Sequence, residues 1–281
     1  MPIAPVSGNE ICYETFGPQD ATPLVLVNGL GSQMIRWPQG FIDQLVDAGF
    51  RVIVHDNRDV GLSTKFTHVD TNPPYTVGDM ANDTIGVLDH LGIQAAHVAG
   101  MSMGGMICQI LAIEHPERVL SLASVMSAMG GEDHVLSENR EALAIFAEKS
   151  EKERDKVIEQ AVRHRRLISG PGFPFDEEAE RDLAGRVYDR CYAPDGRRRQ
   201  MLAIQAARGR SKALSKTAIP TVVIHGTDDP LIPVENGRKM AEVVSDAKLV
   251  EIEGMGHDLP EGAWSTITSA IADNAKRAAT V

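Results

Sequence analysis

The sequence predicts an α/β protein: a mostly parallel sheet flanked by helices, with a helical insertion between two of its strands. Three observations predict it. Short runs of nearly continuous Val, Ile and Leu recur along the chain and end in glycine or aspartate, as strands covered on both faces do. Helix-length stretches separate them, and strand, helix, strand at this rhythm implies parallel pairing. One interval, from about residue 130 to 211, breaks the rhythm with charged helical sequence and no strand pattern.

The strand runs, in order, are Pro23 to Gly29, Arg51 to Asp56, Ala96 to Gly100, Val119 to Val125, Thr221 to Gly226 and Lys248 to Gly254. Between them, Thr76 to Leu91, Gly104 to His115 and Val234 to Val244 read as helices. The expected organisation is a core over 1–129, a helical cap over 130–211 and the rest of the core over 212–281. In the cap, Asp176 stands where a helix N-cap belongs, before a run of acids. The basic runs Arg163 to Arg166 and Arg197 to Arg199 read as solvated helix faces balanced by nearby Glu and Asp. Ligands of such a sheet gather at the carboxyl ends of its strands.

Composition narrows the function classes. The 281 residues, 43% hydrophobic and 24% charged, suit a soluble globular chain, and no apolar run is long enough to span a bilayer. A formal charge of −11 argues against nucleic acid and anionic membrane surfaces as partners. The N-terminal stretch M-P-I-A-P-V-S-G-N-E lacks the basic start and apolar run of a signal peptide, so a cytoplasmic protein is expected. Cys12, Cys108 and Cys191 are odd in number and widely spaced, which suits reduced thiols and no zinc site. Self-association into a homo-oligomer stays open.

Chemistry is concentrated in V-A-G-M-S-M-G-G-M, Val98 to Met106. Gly100 to Gly104 form G-x-S-x-G directly after a strand and before a helix, which puts Ser102 on a strained turn at the top of the sheet. A serine capping a helix after a glycine turn is the plainer alternative. A serine hydroxyl needs an imidazole to accept its proton, and the imidazole needs an acid on its far nitrogen. Both are on hand: H-G-T-D-D-P-L-I-P (His225 to Pro233) follows one strand, and G-M-G-H-D-L-P (Gly254 to Pro260) follows the last. The chain order is serine, aspartate, His257.

With N-G-L-G, D-N-R-D-V-G-L-S, G-M-S-M-G-G, the cap segment R-L-I-S-G-P-G-F-P-F-D, D-P-L-I-P and G-M-G-H, nearly the whole chain resembles the α/β-hydrolase superfamily. More narrowly, it resembles the capped esterase branch that includes aclacinomycin methylesterase. The resemblance implies Ser102 as nucleophile, His257 as general base and Asp229 as the acid, with Asp228 a turn residue and Asp258 turned away. It implies an oxyanion hole of the Leu30 and Met103 backbone N–H groups. Two departures stand out: Asn28 replaces the histidine of many relatives before Gly29, and Asp59 stands where many have glycine. The Asp56, Arg58 and Ser63 side chains of that second loop read as ties between backbone groups.

The expected reaction is hydrolysis of a small-molecule carboxylic ester through an acyl-enzyme, with neither metal nor organic cofactor required. Met101 and Met129 near the strand ends, and Phe173 and Phe175 of the F-P-F segment, are candidate pocket residues; core packing is their plainer reading. Carbon-carbon bond hydrolases, serine acyltransferases and cofactor-free perhydrolases share this constellation, and a binding module with little turnover is a further alternative.

Overall fold

The computed structural model describes residues 1–67 and 73–278. The chain opens with β1 (Ile3–Val6), β2 (Asn9–Phe16) and β3 (Thr22–Val27), then α1 (Gln39–Asp47), β4 (Phe50–His55) and α2 (Val77–His90). It continues through β5 (Ala96–Met101), α3 (Met103–Glu114) and β6 (Val119–Val125). The sheet order is β1-β2-β4-β3-β5-β6 and then β7 (Thr221–Gly226) and β8 (Lys248–Ile252), with α9 (Glu235–Val243) between those last two and α10 (Trp264–Ala278) at the end. From β4 to β8 every neighbouring pair is parallel; β1 with β2 and β2 with β4 are antiparallel.

All six strands expected from continuous apolar runs are present, while β1 and β2 are additional. The reason is their position. β1 alternates exposed and buried residues as a strand with one wet face does, and its Pro5 is tolerated because the strand lies at the sheet's edge. Helices α2, α3 and α9 cover one face of the sheet, through residues such as Met80, Ile107 and Met240. α1 and α10 cover the other through Phe41, Leu45, Ile267 and Ile271. Local chemistry sets the helix starts: Thr76 Oγ1 accepts from the Asp79 N–H at 3.1 Å while Asp79 accepts from the Thr76 N–H at 2.7 Å, a reciprocal cap on α2.

Between β6 and β7 the chain runs through α4 (Arg140–Ala144), α5 (Arg154–Ile168), α6 (Glu177–Arg190), α7 (Pro194–Ala206) and the single turn α8 (Ser211–Leu214), with no strand. Asp176 caps α6 by accepting from the Ala179 N–H at 2.9 Å. The two ends of this excursion cross closely: a Cβ on Gly131 would lie 2.6 Å from Gly209 Cα, so Gly131 does not tolerate a side chain. Buried Arg210 ties the crossing to the sheet by donating to Ala128 O and to Gln109 Oε1, each at 2.9 Å. Among the described residues no helix is long and apolar enough to cross a membrane.

Candidate active site

Ser102 stands between β5 and α3 with φ 57 and ψ −121, a conformation that costs a non-glycine residue about 1–3 kcal/mol and persists only when its surroundings fix it. They do. A Cβ on Gly100 would fall 2.1 Å from Gly104 O, and one on Gly104 would fall 2.0 Å from Val27 O, so the turn closes only because both are glycine. The Ser102 N–H donates to Val125 O at 2.9 Å, and Ser102 O accepts from Ser127 Oγ at 2.8 Å. The backbone is anchored, whereas the half-buried Oγ has no hydrogen-bond partner among the described residues.

The loops after β7 and β8 bring Asp229 and His257 together. Asp229 Oδ2 lies 2.7 Å from His257 Nδ1, and Oδ1 accepts from the Leu231 and Ile232 N–H groups at 2.9 and 2.8 Å. Burial alone pushes this carboxyl up; the charge of His257 and hydrogen bonds from His225 and His257 outweigh it and hold Asp229 below the usual carboxylate range. Its neighbour Asp228 is exposed and accepts from Thr227 Oγ1 at 2.7 Å. Asp258 makes no hydrogen bond to His257; it lines a groove with Arg165, and burial raises its carboxyl. One aspartate of the three meets the imidazole.

The loop after β3 completes the arrangement. Gly29 abuts the serine turn: a Cβ there would sit 3.2 Å from both Met101 O and Ser102 Cβ. Asn28, the departure from histidine, donates from Nδ2 to Gln33 O at 3.1 Å, while Asn28 O accepts from Asn57 Nδ2 at 3.0 Å. The Gly31 N–H donates to Gln200 Oε1 at 2.8 Å and the Ser32 N–H to Gly29 O at 3.2 Å. Among the described residues, the N–H groups of Leu30 and of Met103, at the start of α3, have no partner, and those of Gly29 and Gln33 in the same loop have none either. Orphan donors are ordinary in a first helical turn and less so in a loop packed against the core.

Helices of the excursion hold each piece. The His257 N–H donates to Ile168 O at 2.7 Å and the Gly172 N–H to Gly254 O at 2.8 Å. Gln33 Nε2 donates to Val187 O and Cys191 O at 2.9 and 2.7 Å. Here one expectation is corrected: the Arg197 to Arg199 run is not a solvated face. Arg199 is buried and pairs through two 2.8 Å bonds with Asp59, itself buried at φ 72. This accounts for an aspartate where many relatives carry glycine. Asp56 and Ser63 act as expected, Asp56 accepting from the Met34 and Leu62 N–H groups at 2.8 Å and Ser63 Oγ from the Cys12 N–H at 2.9 Å; Arg58 reaches one backbone group, Asp79 O at 2.9 Å, and otherwise pairs with the Asp83 carboxylate.

Among the candidate pocket residues, half-buried Met101 adjoins Ser102, and Met129 is buried in a cluster with Met103 and Leu30. Phe173 packs against Gly262, and Phe175 lies under the Arg166 guanidinium, 4.7 Å from its ring centre. Both rings line a groove of about 930 Å³ with Trp37, Trp264 and Asp258; Ser102, Asp229 and His257 are not among its lining residues. Gln33, Arg199 and Gln200 were missed by sequence reasoning, and no local motif marks them.

A family model described as the alpha/beta hydrolase fold matches residues 22–262. The chain is 31% identical to rhodomycin D methylesterase DnrP of Streptomyces peucetius and 30% identical to rhodomycin D methylesterase DauP of Streptomyces sp. strain C5, each alignment covering 100% of both chains. The solved enol-lactonase of Burkholderia xenovorans LB400 superposes with a TM-score of 0.74 at 25% identity, over 98% of this chain and 100% of that one. With the eight-stranded sheet described above, these matches agree with the resemblance read from the motifs: the chain belongs to the α/β-hydrolase fold family.

Proposed function

We propose that the carboxylic ester hydrolysis catalysed by this chain runs through a Ser102, His257, Asp229 triad and an acyl-enzyme. The observation that carries the reading is the strained serine turn lying against a loop whose Leu30 N–H is unpartnered, with a second unpartnered N–H on Met103. Ser102 Oγ attacks the ester carbonyl while His257 Nε2 takes its proton; Asp229 on Nδ1 fixes the tautomer and steadies the imidazolium. The tetrahedral oxyanion accepts from Leu30 and Met103. As the carbon-oxygen bond breaks, the alcohol leaves with the proton from His257. Water then attacks the acyl-enzyme and gives its proton to the same nitrogen, which passes it to Ser102 Oγ as the acyl carbon-oxygen bond breaks and the acid is released.

The full-length match to two methylesterases supports a substrate with a small alcohol and a larger acid. Met101 and Met129 would give the acyl group an adaptable apolar wall. We infer that the helical excursion, 130–211, is the cap over this site. Labelling with a serine-directed phosphonate tests the mechanism: Ser102→Ala is expected to abolish both labelling and hydrolysis of a methyl ester with the fold intact. Undiminished labelling of another serine overturns it. A panel varying alcohol and acyl size tests the substrate class, methyl esters of bulky acids being expected to lead.

A further inference from the structure

We infer that Gln200 of α7 is a positioning residue for the oxyanion-stabilising loop, so that the cap sets the direction of the Leu30 N–H. The inference rests on the proposed triad mechanism and deepens it.

Gln200 is fully buried, and its amide bridges two loops at the strand ends. Oε1 accepts from the Gly31 N–H after β3, and Nε2 donates to Arg58 O after β4, both at 2.8 Å. Each contact needs the opposite polarity, so the amide has a single orientation. The same stretch of α7 is pressed on these loops: a Cβ on Gly196 would lie 2.0 Å from Asp59 O, and Arg197 packs within 3.4 Å of where a Gly31 Cβ would be. Arg199 locks the helix through Asp59.

The loop between Asn28 and Gln33 has few ways to move as a result. Asn57 holds the carbonyl of Asn28, Gln200 holds the N–H of Gly31, and Gly31 occupies φ +68, which glycine adopts without strain. The Leu30 N–H lies between the two fixed points. Without Gln200, the Leu30–Gly31 peptide could turn its N–H elsewhere, and the φ and ψ of Leu30 would no longer be set. An oxyanion donor acts only where the oxyanion forms, so a small rotation is felt in the transition state and little in the ground state.

The test is Gln200→Met, which keeps length and removes both hydrogen bonds. For a methyl ester, kcat is expected to fall about 10- to 100-fold, with KM changed less than about threefold. A trifluoromethyl ketone, which adds to the serine and places an oxyanion in the same hole, should lose affinity by the same factor. Binding of the product acid should not. A kcat loss without the ketone loss, or an equal loss for the acid, overturns the assignment. If Gln200→Met does not fold, amide proton exchange in the wild-type protein decides. The Gly31 amide should be protected in the free enzyme, and the Leu30 amide should become protected only with the ketone bound; a freely exchanging Gly31 amide overturns it. Ser102→Ala separates the layers: labelling that survives it removes the triad, whereas an inert Ser102→Ala beside a fully active Gln200→Met removes this inference alone.

Discussion

The helical excursion carries much the same kinds of residue on two edges that do different things. On its outer edge, Arg163 and His164 meet Glu148, Arg166 and Arg181 meet Glu177, and Arg154 meets Asp189, all with one or both partners in solvent. Its inner edge meets the core through ion pairs whose carboxylates are buried, Arg199 with Asp59, Arg190 with Asp56 and Glu180 with Arg36, and through backbone and amide contacts at 168–172 and 196–200. Exposed pairs are screened and spend side-chain entropy, so their number says little about stability. A buried guanidinium and carboxylate have exchanged water for each other, and removing either strands a charge. Ion pairing on this excursion is thus informative by depth and not by count.

Within the single dipeptide Asp228-Asp229 the same contrast is sharpest. Asp229→Asn is expected to lower kcat by up to about 10⁴ through loss of the histidine tautomer, while exposed Asp228→Asn costs little. Steady-state kinetics of both variants check this, and a reversed order would break the inward assignment. Asp59→Ala is expected to cost about 3–5 kcal/mol of stability in urea unfolding, with Arg181→Ala close to wild type. Equal midpoint shifts would erase the difference between the edges.

Gly170→Ala comes next, since a Cβ there would meet Gly254 O at 2.2 Å and must displace the loop that bears His257. A fall in kcat of about 10²-fold, larger than the change in KM, is expected. The smallest effect belongs to the aromatic groove: Phe173→Ala and Phe175→Ala should lower kcat/KM by one common factor across an ester series. A factor that varies with acyl length would put the rings in the substrate's path. Acid adds a further check. Because the folded state holds Asp229 below the usual carboxylate range, its stabilising contribution is complete above an unfolded value of about 4 and fades as pH falls through the folded one. Stability of Asp229→Asn should therefore decline less steeply in that range than wild type.

The parallel strands β3 to β7 were legible because burial on both faces leaves continuous Val and Ile, whereas β8, expected to be covered likewise, is an edge strand with Lys248, Leu249 and Glu251 exposed; the serine turn was legible because its glycines are forced by contacts under 3 Å. β1 was not, since a half-wet edge strand writes an alternating pattern over few residues, and β2 was not, since it buries only Ile11, Cys12 and Tyr13 between polar residues. Asp59 showed in the sequence only as an oddity; its partner lies 140 residues on. Gln200 left no trace, being a lone amide after an arginine run, with both of its partners far away in the sequence. Phe173 and Phe175 were visible as unusual rings, yet a sequence does not tell which side of a loop they take.

The hydrogen bonds that fix the loop after β3 span large stretches of chain: 169 residues from Gly31 to Gln200, and 154 and 158 from Gln33 to Val187 and Cys191. Closing such loops is slow, because their entropy must be lost before the contacts form. During synthesis, Ser102 and its glycine turn leave the ribosome well before α7 does, and His257 later still. On the proposed mechanism, a nascent or partly refolded chain has the serine without an aligned oxyanion donor and is expected to stay chemically silent. In refolding from urea, esterase activity is expected to return after the far-ultraviolet signal of the sheet and helices, with a lag set by docking of α7.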